Sequence, residues 1–215
     1  IGMSMVSRFT ANVAFWTAAV SAALVSVASL RFLALGVSAS MEFVAHNLDG
    51  NALMLYAHIG VAPIALALMP FQFMTRLRAS RPKLHRWLGR GYVVSILISG
   101  IAGLQLAFHT TAGSFAATGF AILAVLWLAT TGIAFAFALR RQFPRHRAWM
   151  LRSAALTFAA VTLRVYLGSS MAAGVDFDVA YPLIAWLCWV PNVLVMEAYL
   201  QMARPGKTRL ISATA

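Results

Sequence analysis

Hydrophobic residues occur in six long runs along the chain, and short polar connections between the runs carry most of the charges. Each run is close to the roughly 20 apolar residues that an α-helix needs to cross ~30 Å of hydrocarbon. The pattern therefore predicts an all-α fold, a polytopic transmembrane helical bundle that forms a single domain over residues 1–215. The six predicted spans cover about residues 9–31, 52–74, 91–111, 115–139, 148–170 and 179–202.

Composition separates this chain from an ordinary soluble domain. It is 61% hydrophobic and only 10% charged, whereas roughly 25% of the residues in a soluble domain are charged. The 17 Lys and Arg outnumber the 5 Asp and Glu, but they lie in short runs beside the apolar segments. Because no separate basic face remains to bind phosphates, nucleic-acid binding is not expected. A single cysteine, Cys188, excludes an internal disulfide and a CxxC motif.

The positive charges predict the orientation of the chain in the membrane. Fifteen of the 17 cations fall on one side of a six-span chain. They lie at Arg8, in two basic loops at Arg76–Arg90 and Arg140–Arg152, and in the tail Arg204–Arg209. Since cytoplasmic connections carry the excess of Lys and Arg, both termini are predicted to be cytoplasmic. Arg31 and Arg164 are the two exceptions.

The two basic loops share a short motif, PKLHRW from Pro82 and PRHRAW from Pro144. Each proline suits the first turn of a helix, where the backbone donor is not needed. If the loops meet, their cations and helix N-termini would bind an anion such as a phosphate, a haem propionate or an anionic lipid head group. The predicted anion-binding set is His85, Arg86, Arg90, His146, Arg147 and Arg152. Membrane topology alone is the alternative explanation for these charges.

Several sequence runs resemble a known bacterial family. They are AHIGVAPIAL from Ala57, PFQF from Pro70, LHRWLGRGY from Leu84 and HRAWMLRSAALTFAAVTLR from His146. The pattern is similar to the membrane family known as domain of unknown function 2306. The resemblance implies a multi-pass protein of the bacterial inner (cytoplasmic) membrane without an assigned activity.

Ionisable residues inside the predicted spans are the candidates for chemistry, because each costs roughly 2.5–3.5 kcal/mol there unless it is paired. Arg152 and Glu197 lie at similar predicted depth and are expected to form a structural ion pair. Arg164 lies in the outer half of span five, too far from the interface to reach water easily. The same half of the membrane is predicted to contain His58, Gln105, His109 and Tyr166.

Three interpretations of the histidines stay open. His58 and His109, on antiparallel spans, would ligate a b-type haem while Arg164 pairs with a propionate. Alternatively, His46, His58 and His109, with Glu42 or Asp49, would bind a copper or zinc ion. In the third, His58 bonds a carbonyl freed near a proline, and His109 lies at the interface.

No nucleophile, metalloprotease or nucleotide-binding motif is present in the sequence, so no catalytic residue is assigned and enzymatic activity is left undecided. The leading hypothesis is a redox-associated protein with a haem b or metal near the outer leaflet, as a partner subunit of a larger membrane complex. The alternative is a cofactor-free structural subunit that binds anionic membrane lipids on the cytoplasmic side.

Overall fold

The computed structural model describes residues 5–203, with the backbone alone at positions 5–8 and 11. Within this range the chain is helical, without strands. The α-helices are α1 Met5–Ser29, α2 Phe32–Leu35, α3 Val37–Ser40, α4 Leu48–Phe73, α5 Thr75–Ser80, α6 Pro82–Ala107, α7 Gly113–Leu139, α8 Phe143–Thr157, α9 Ala159–Ala172, α10 Phe177–Leu187 and α11 Val190–Met202. A 3₁₀ helix, Glu42–Asn47, precedes α4. The predicted cytoplasmic tail Arg204–Arg209 lies outside the described residues.

The predicted six-span helical bundle is confirmed among the described residues. Six segments are long and apolar enough to cross a membrane: Asn12–Leu35, Glu42–Phe73, Pro82–Ala107, Gly113–Leu139, Phe143–Ala172 and Phe177–Met202. The third and fifth begin earlier than the apolar runs suggested. The reason is that Pro82 and Pro144 each occupy one of the first two helical positions, as expected for Pro in a first turn.

The interior of the bundle is built largely from small side chains. Ala22, Ala65, Ala116 and Ala134 are fully buried, whereas many of the large apolar side chains point outward, as on α1 at Leu24. Helix α6 packs between α4 and α7, and α7 also contacts α8 and α10. Small interior residues allow such close approach of helices in lipid, where the hydrophobic effect does not drive helices together.

The fifth and sixth spans are each interrupted near the middle. The fifth is interrupted at Phe158, between α8 and α9, and the sixth between α10 and α11. The Asn192 side chain amide connects the two breaks, because it donates to the Cys188 carbonyl at 3.0 Å and to the Ala155 carbonyl at 3.3 Å. Irregular backbone in a membrane is tolerated where other protein groups satisfy the carbonyls, and Asn192 serves that purpose here.

The connection between α1 and α4 is folded rather than open. Its residues 32–47, called the cap segment below, form α2, α3 and the 3₁₀ helix. The turn between α2 and α3 and the turn near the start of α4 need positive φ angles, which Gly36 (+75°) and Gly50 (+90°) supply. Arg31 fixes the segment by donating two hydrogen bonds to the Ser40 carbonyl, at 3.0 and 2.7 Å.

A buried network of hydroxyl groups joins α6, α7 and α8. The Tyr92 hydroxyl lies 2.9 Å from Ser153 Oγ and 2.7 Å from Thr157 Oγ1. Thr131 Oγ1 lies 2.7 Å from the same Ser153 oxygen, and the Trp127 indole donates to Thr157 at 2.8 Å. All five side chains are buried. Because each polar group has a partner, the network holds three helices in one arrangement.

Replacing Tyr92 by Phe removes the hydroxyl at the centre of this network. We expect Tyr92→Phe to lower the free energy of unfolding by about 1 kcal/mol, the usual net value of such a bond in a protein interior. Thermal unfolding in detergent, followed by circular dichroism, measures the change. Tyr199→Phe, on an exposed side chain of α11, is the matched control. An equal loss in both variants would contradict a stabilising role for the network.

Candidate functional site

A cavity of about 310 Å³ lies between the cap segment and the interior of the bundle. Val44 and His46 line it at the cap, and Trp127 and Thr157 line it at the interior end. Most of the remaining wall is apolar, contributed by α4, α6, α7, α9 and α10. Small-molecule sites are typically apolar concavities of roughly 300–1,000 Å³ with a few polar groups, so this cavity has the size and character of a compact ligand site.

His58 of α4 is one of the polar groups in this wall. Its Nδ1 lies 2.8 Å from the backbone carbonyl oxygen of Ser99 on α6. A carbonyl can only accept a hydrogen bond, so Nδ1 carries the proton and the neutral ring has its lone pair on Nε2. Nε2 has no hydrogen-bond partner within residues 5–203. The cavity wall therefore contains an oriented imidazole with a free basic nitrogen.

Arg164 of α9 is a second polar group in the wall. Its guanidinium donates to the Ala160 carbonyl at 2.9 Å and to Ser29 Oγ at 2.8 Å. Both acceptors are neutral. Arg164 forms no ion pair with any carboxylate in the described part of the chain. Arg164 is thus a partly buried cation without a neighbouring carboxylate among the described residues.

Arg31, which follows α1, lines the same cavity. Arg31 and Arg164 are the two cations that depart from the charge asymmetry of the sequence, and the structure brings both to one site. None of the described residues around the cavity is Asp or Glu. A concave site lined by cations with low-dielectric walls attracts anions. The cavity therefore suits a ligand with an acidic group and an apolar body.

The structure separates the histidines that the sequence grouped together. His46, a residue of the cap segment, lines the cavity, but His109 is not among the lining residues. His109 is exposed, and its Nδ1 donates to the Gln105 carbonyl at 2.9 Å. The His109 carbonyl lies 3.0 Å from His46 Nε2, which ties the cap segment to the end of α6. No group of three or more His, Cys, Asp or Glu among the described residues is placed to bind a metal ion.

Sequence reasoning missed the groups that orient His58. The Ser99 carbonyl is a backbone atom, and no residue pattern reveals it. Gly103, one turn further along α6, lies so close to the ring that a Cβ there would be 2.9 Å from His58 Nδ1. The available signal was a row of small residues on α6, a pattern that by itself indicates only close helix packing.

The two basic loops lie at the other end of the bundle, at the starts of α6 and α8, and we call this the basic end. His85, near the start of α6, lies close enough to His146 of α8 and to Arg78 and Arg86 for their charges to act on it. His85 Nδ1 is buried and has no hydrogen-bond partner. His146 Nδ1, in contrast, donates to the Ala134 carbonyl at 2.8 Å. That the two loops together bind an anion stays a prediction.

Some members of the predicted anion-binding set have other partners. Arg152 and Glu197 are brought together, with Nε to Oε1 at 2.5 Å and Nη2 to Oε2 at 2.8 Å. The Arg90 guanidinium lies over the Trp87 ring, 5.3 Å from its centroid. Arg86 and Arg147 are exposed at the same end. These last two cations are the ones that remain available near His85.

Comparison with known proteins supports the membrane assignment. The family model described as "Predicted membrane protein (DUF2306)" matches residues 55–200, which confirms the resemblance seen in the sequence motifs. The match covers more than half of the chain, including the spans that carry His58, Gly103 and Arg164. No curated protein and no solved structure matches the chain.

The bidentate geometry of Arg152 and Glu197 predicts energetic coupling between them. Glu197→Gln or Arg152→Gln alone leaves one charge unpaired, and each should lower the free energy of unfolding by roughly 1–3 kcal/mol. Since their side chains are 18% and 33% exposed, we expect values near the lower end. The double variant should lose less than the sum of the two. Strictly additive losses in thermal unfolding would contradict the coupling.

Proposed function

We propose that this chain, which belongs to the DUF2306 family of predicted membrane proteins, is a redox-associated protein that binds a b-type haem in the cavity. In this proposal His58 ligates the iron through Nε2, and Arg164 pairs with a propionate. The observation that carries it is the presence, in one largely apolar cavity, of an oriented imidazole with a free Nε2 and a cation without an anion.

Three properties of the cavity support haem as the occupant. Haem iron is commonly ligated by a neutral imidazole nitrogen, and a ligating histidine usually donates its other N–H to a carbonyl or carboxylate, as His58 does to Ser99. Arginine is the side chain best suited to a carboxylate, because its planar fork matches two oxygens. The wall is largely apolar, as the faces of the macrocycle are, and a bound iron would supply one-electron chemistry.

This proposal differs from the sequence hypothesis in its ligand set. His109 lies outside the cavity lining, so His58 is the proposed axial ligand without it. A bare copper or zinc ion is less well supported, because the described residues offer no group of three suitable donors. The charge asymmetry further predicts that the basic end is cytoplasmic, which would place the cavity in the outer leaflet of the bacterial inner membrane. A partner subunit in a larger complex stays a prediction.

A second candidate function concerns the basic end, where the specific observation is the unpartnered Nδ1 of His85. A buried nitrogen without a partner costs free energy that a ligand oxygen would recover. The cations Arg78, Arg86 and Arg147 carry positive charge at the same end, and phosphate oxygens accept from such donors. In this candidate the protein holds an anionic phospholipid head group there, independently of any cofactor in the cavity.

The haem proposal predicts that haem binding requires His58 and does not require His109. Protein extracted in mild detergent, or titrated with haem, should show a Soret band and about one iron per chain. His58→Ala should abolish both, whereas His109→Ala, the matched control, should retain them. Arg164→Gln should weaken haem affinity roughly tenfold or more, because it removes a hydrogen bond to a charged group. Arg90→Gln removes the same charge outside the cavity and should not.

Absence of a Soret band from wild-type protein after haem titration would refute the haem proposal. Equal loss in His58→Ala and His109→Ala would contradict the assignment of the axial position to His58 without His109. If Arg164→Gln and Arg90→Gln lose haem equally, Arg164 is not the specific partner of a propionate. Such a result would show that haem binding depends only on the total positive charge of the protein.

The lipid proposal predicts that the double variant Arg86→Gln/Arg147→Gln retains less phosphatidylglycerol or cardiolipin than wild type. The reason is that both cations are exposed at the end where His85 lacks a partner. Lipid that remains after detergent washing is quantified by mass spectrometry. Arg145→Gln is the control, because the Arg145 guanidinium already lies over Phe137 and bonds Gln142. Unchanged retention in the double variant would rule out this candidate.

A further inference from the structure

We infer that Ser99 and Gly103 of α6 form a seat for the His58 imidazole, and that Gly103 is a positioning residue that decides which ring nitrogen is offered to a ligand. The seat is a property of the protein alone. Its consequence for ligand choice rests on the proposed function of the cavity.

The first step is the contact between the ring and α6. A Cβ at position 103 would lie 2.9 Å from both Nδ1 and Cε1 of His58, closer than real Cβ atoms come to other heavy atoms. The imidazole edge therefore occupies the space that any side chain at Gly103 would need. Only a glycine allows the ring to lie directly against the helix backbone there.

The second step is the hydrogen bond that this close approach permits. In a helix the Ser99 carbonyl points along the axis toward the amide of Gly103, one turn later. A carbonyl oxygen has two lone pairs, so it can accept from His58 Nδ1 in addition to the helix amide. The 2.8 Å bond to Nδ1 thus requires the ring to lie in the gap over Gly103. Closing that gap would break the bond.

The third step compares Gly103 with Gly100 on the same helix. A Cβ at Gly100 would lie 2.7 Å from Leu128 Cδ2 and 2.9 Å from its Cγ. This contact is at least as close, but it involves the end of a flexible leucine that can change rotamer. The contact at Gly103 involves a planar ring held by a hydrogen bond. Gly100→Ala is therefore a matched steric control that leaves His58 untouched.

The hydrogen bond between His58 and Ser99 determines which chemical groups a ligand of the cavity must carry. With Nδ1 occupied by Ser99, the cavity offers a lone pair at Nε2 of His58 and donors at Arg164. The ligand must then present an electron-pair acceptor, such as a metal centre or an O–H group, to His58. It must also present an anionic or carbonyl oxygen to Arg164. A simple fatty acid meets the second condition through its carboxylate and lacks a group for the first.

The test is nitrogen NMR of protein labelled with ¹⁵N-histidine, recorded without ligand. The chain has 5 histidines, and the signal lost in His58→Ala identifies His58. Wild type should show His58 protonated at Nδ1 and bare at Nε2. Gly103→Ala should change both His58 nitrogen signals and weaken haem binding roughly tenfold. Gly100→Ala should leave the His58 signals unchanged.

Two results would overturn the inference. One is a wild-type His58 protonated at Nε2, which needs no variant and so does not depend on whether Gly103→Ala folds. The other is an unchanged His58 spectrum in a folded Gly103→Ala protein. The expected NMR pattern together with no haem binding by wild type would sustain the seat and refute haem as the occupant, so the two proposals fail separately.

Discussion

The partly buried positive charge of Arg164 is the constraint on which the cavity depends. A guanidinium within a membrane span costs roughly 2.5–3.5 kcal/mol on insertion scales, and hydrogen bonds to Ala160 and Ser29 satisfy donors without neutralising the charge. The same chain shows the alternative at Arg152, which Glu197 holds with two hydrogen bonds. An arginine needed only for packing would be expected to have such a partner. Arg164 instead borders an open cavity, where a ligand anion can supply the missing charge.

The cap segment contributes to the wall of the same cavity and is held in place by several contacts. Arg31 uses its guanidinium to fix the chain at Ser40, and His46 contacts the His109 carbonyl at the end of α6. Phe43 adds an aromatic contact with Tyr181 of α10, with ring centroids 5.9 Å apart. The cap segment is thus held to α6 and α10, and its residues Phe43, Val44 and His46 form one part of the cavity wall that also contains His58 and Arg164.

The sequence predicted the positions of the spans along the chain well and the direction in which their side chains point poorly. Apolar run lengths revealed the six spans, and similar depth was enough to bring Arg152 and Glu197 together. Depth alone also suggested that His58 and His109 share a site, but they do not line the same cavity. The spans are apolar on all sides, so no polar face shows how each helix is rotated. The break at Phe158 was likewise unpredictable, since no Pro or Gly marks it, whereas Pro191 follows the break near Cys188.

The row of small residues on α6 shows why packing and site geometry cannot be read separately in this bundle. Ser95 and Ser99 are buried where α6 packs closely against its neighbours, as small residues in membrane helices usually are. One turn later the same row reaches Gly103, and there the space is filled by the ring of His58 rather than by an approaching backbone. A glycine in such a row allows close contact in either case. Whether the glycine contacts a neighbouring backbone or a side chain depends on the residue opposite. Because the residue opposite Gly103 is a histidine, this position determines which ring nitrogen of His58 is offered to a ligand.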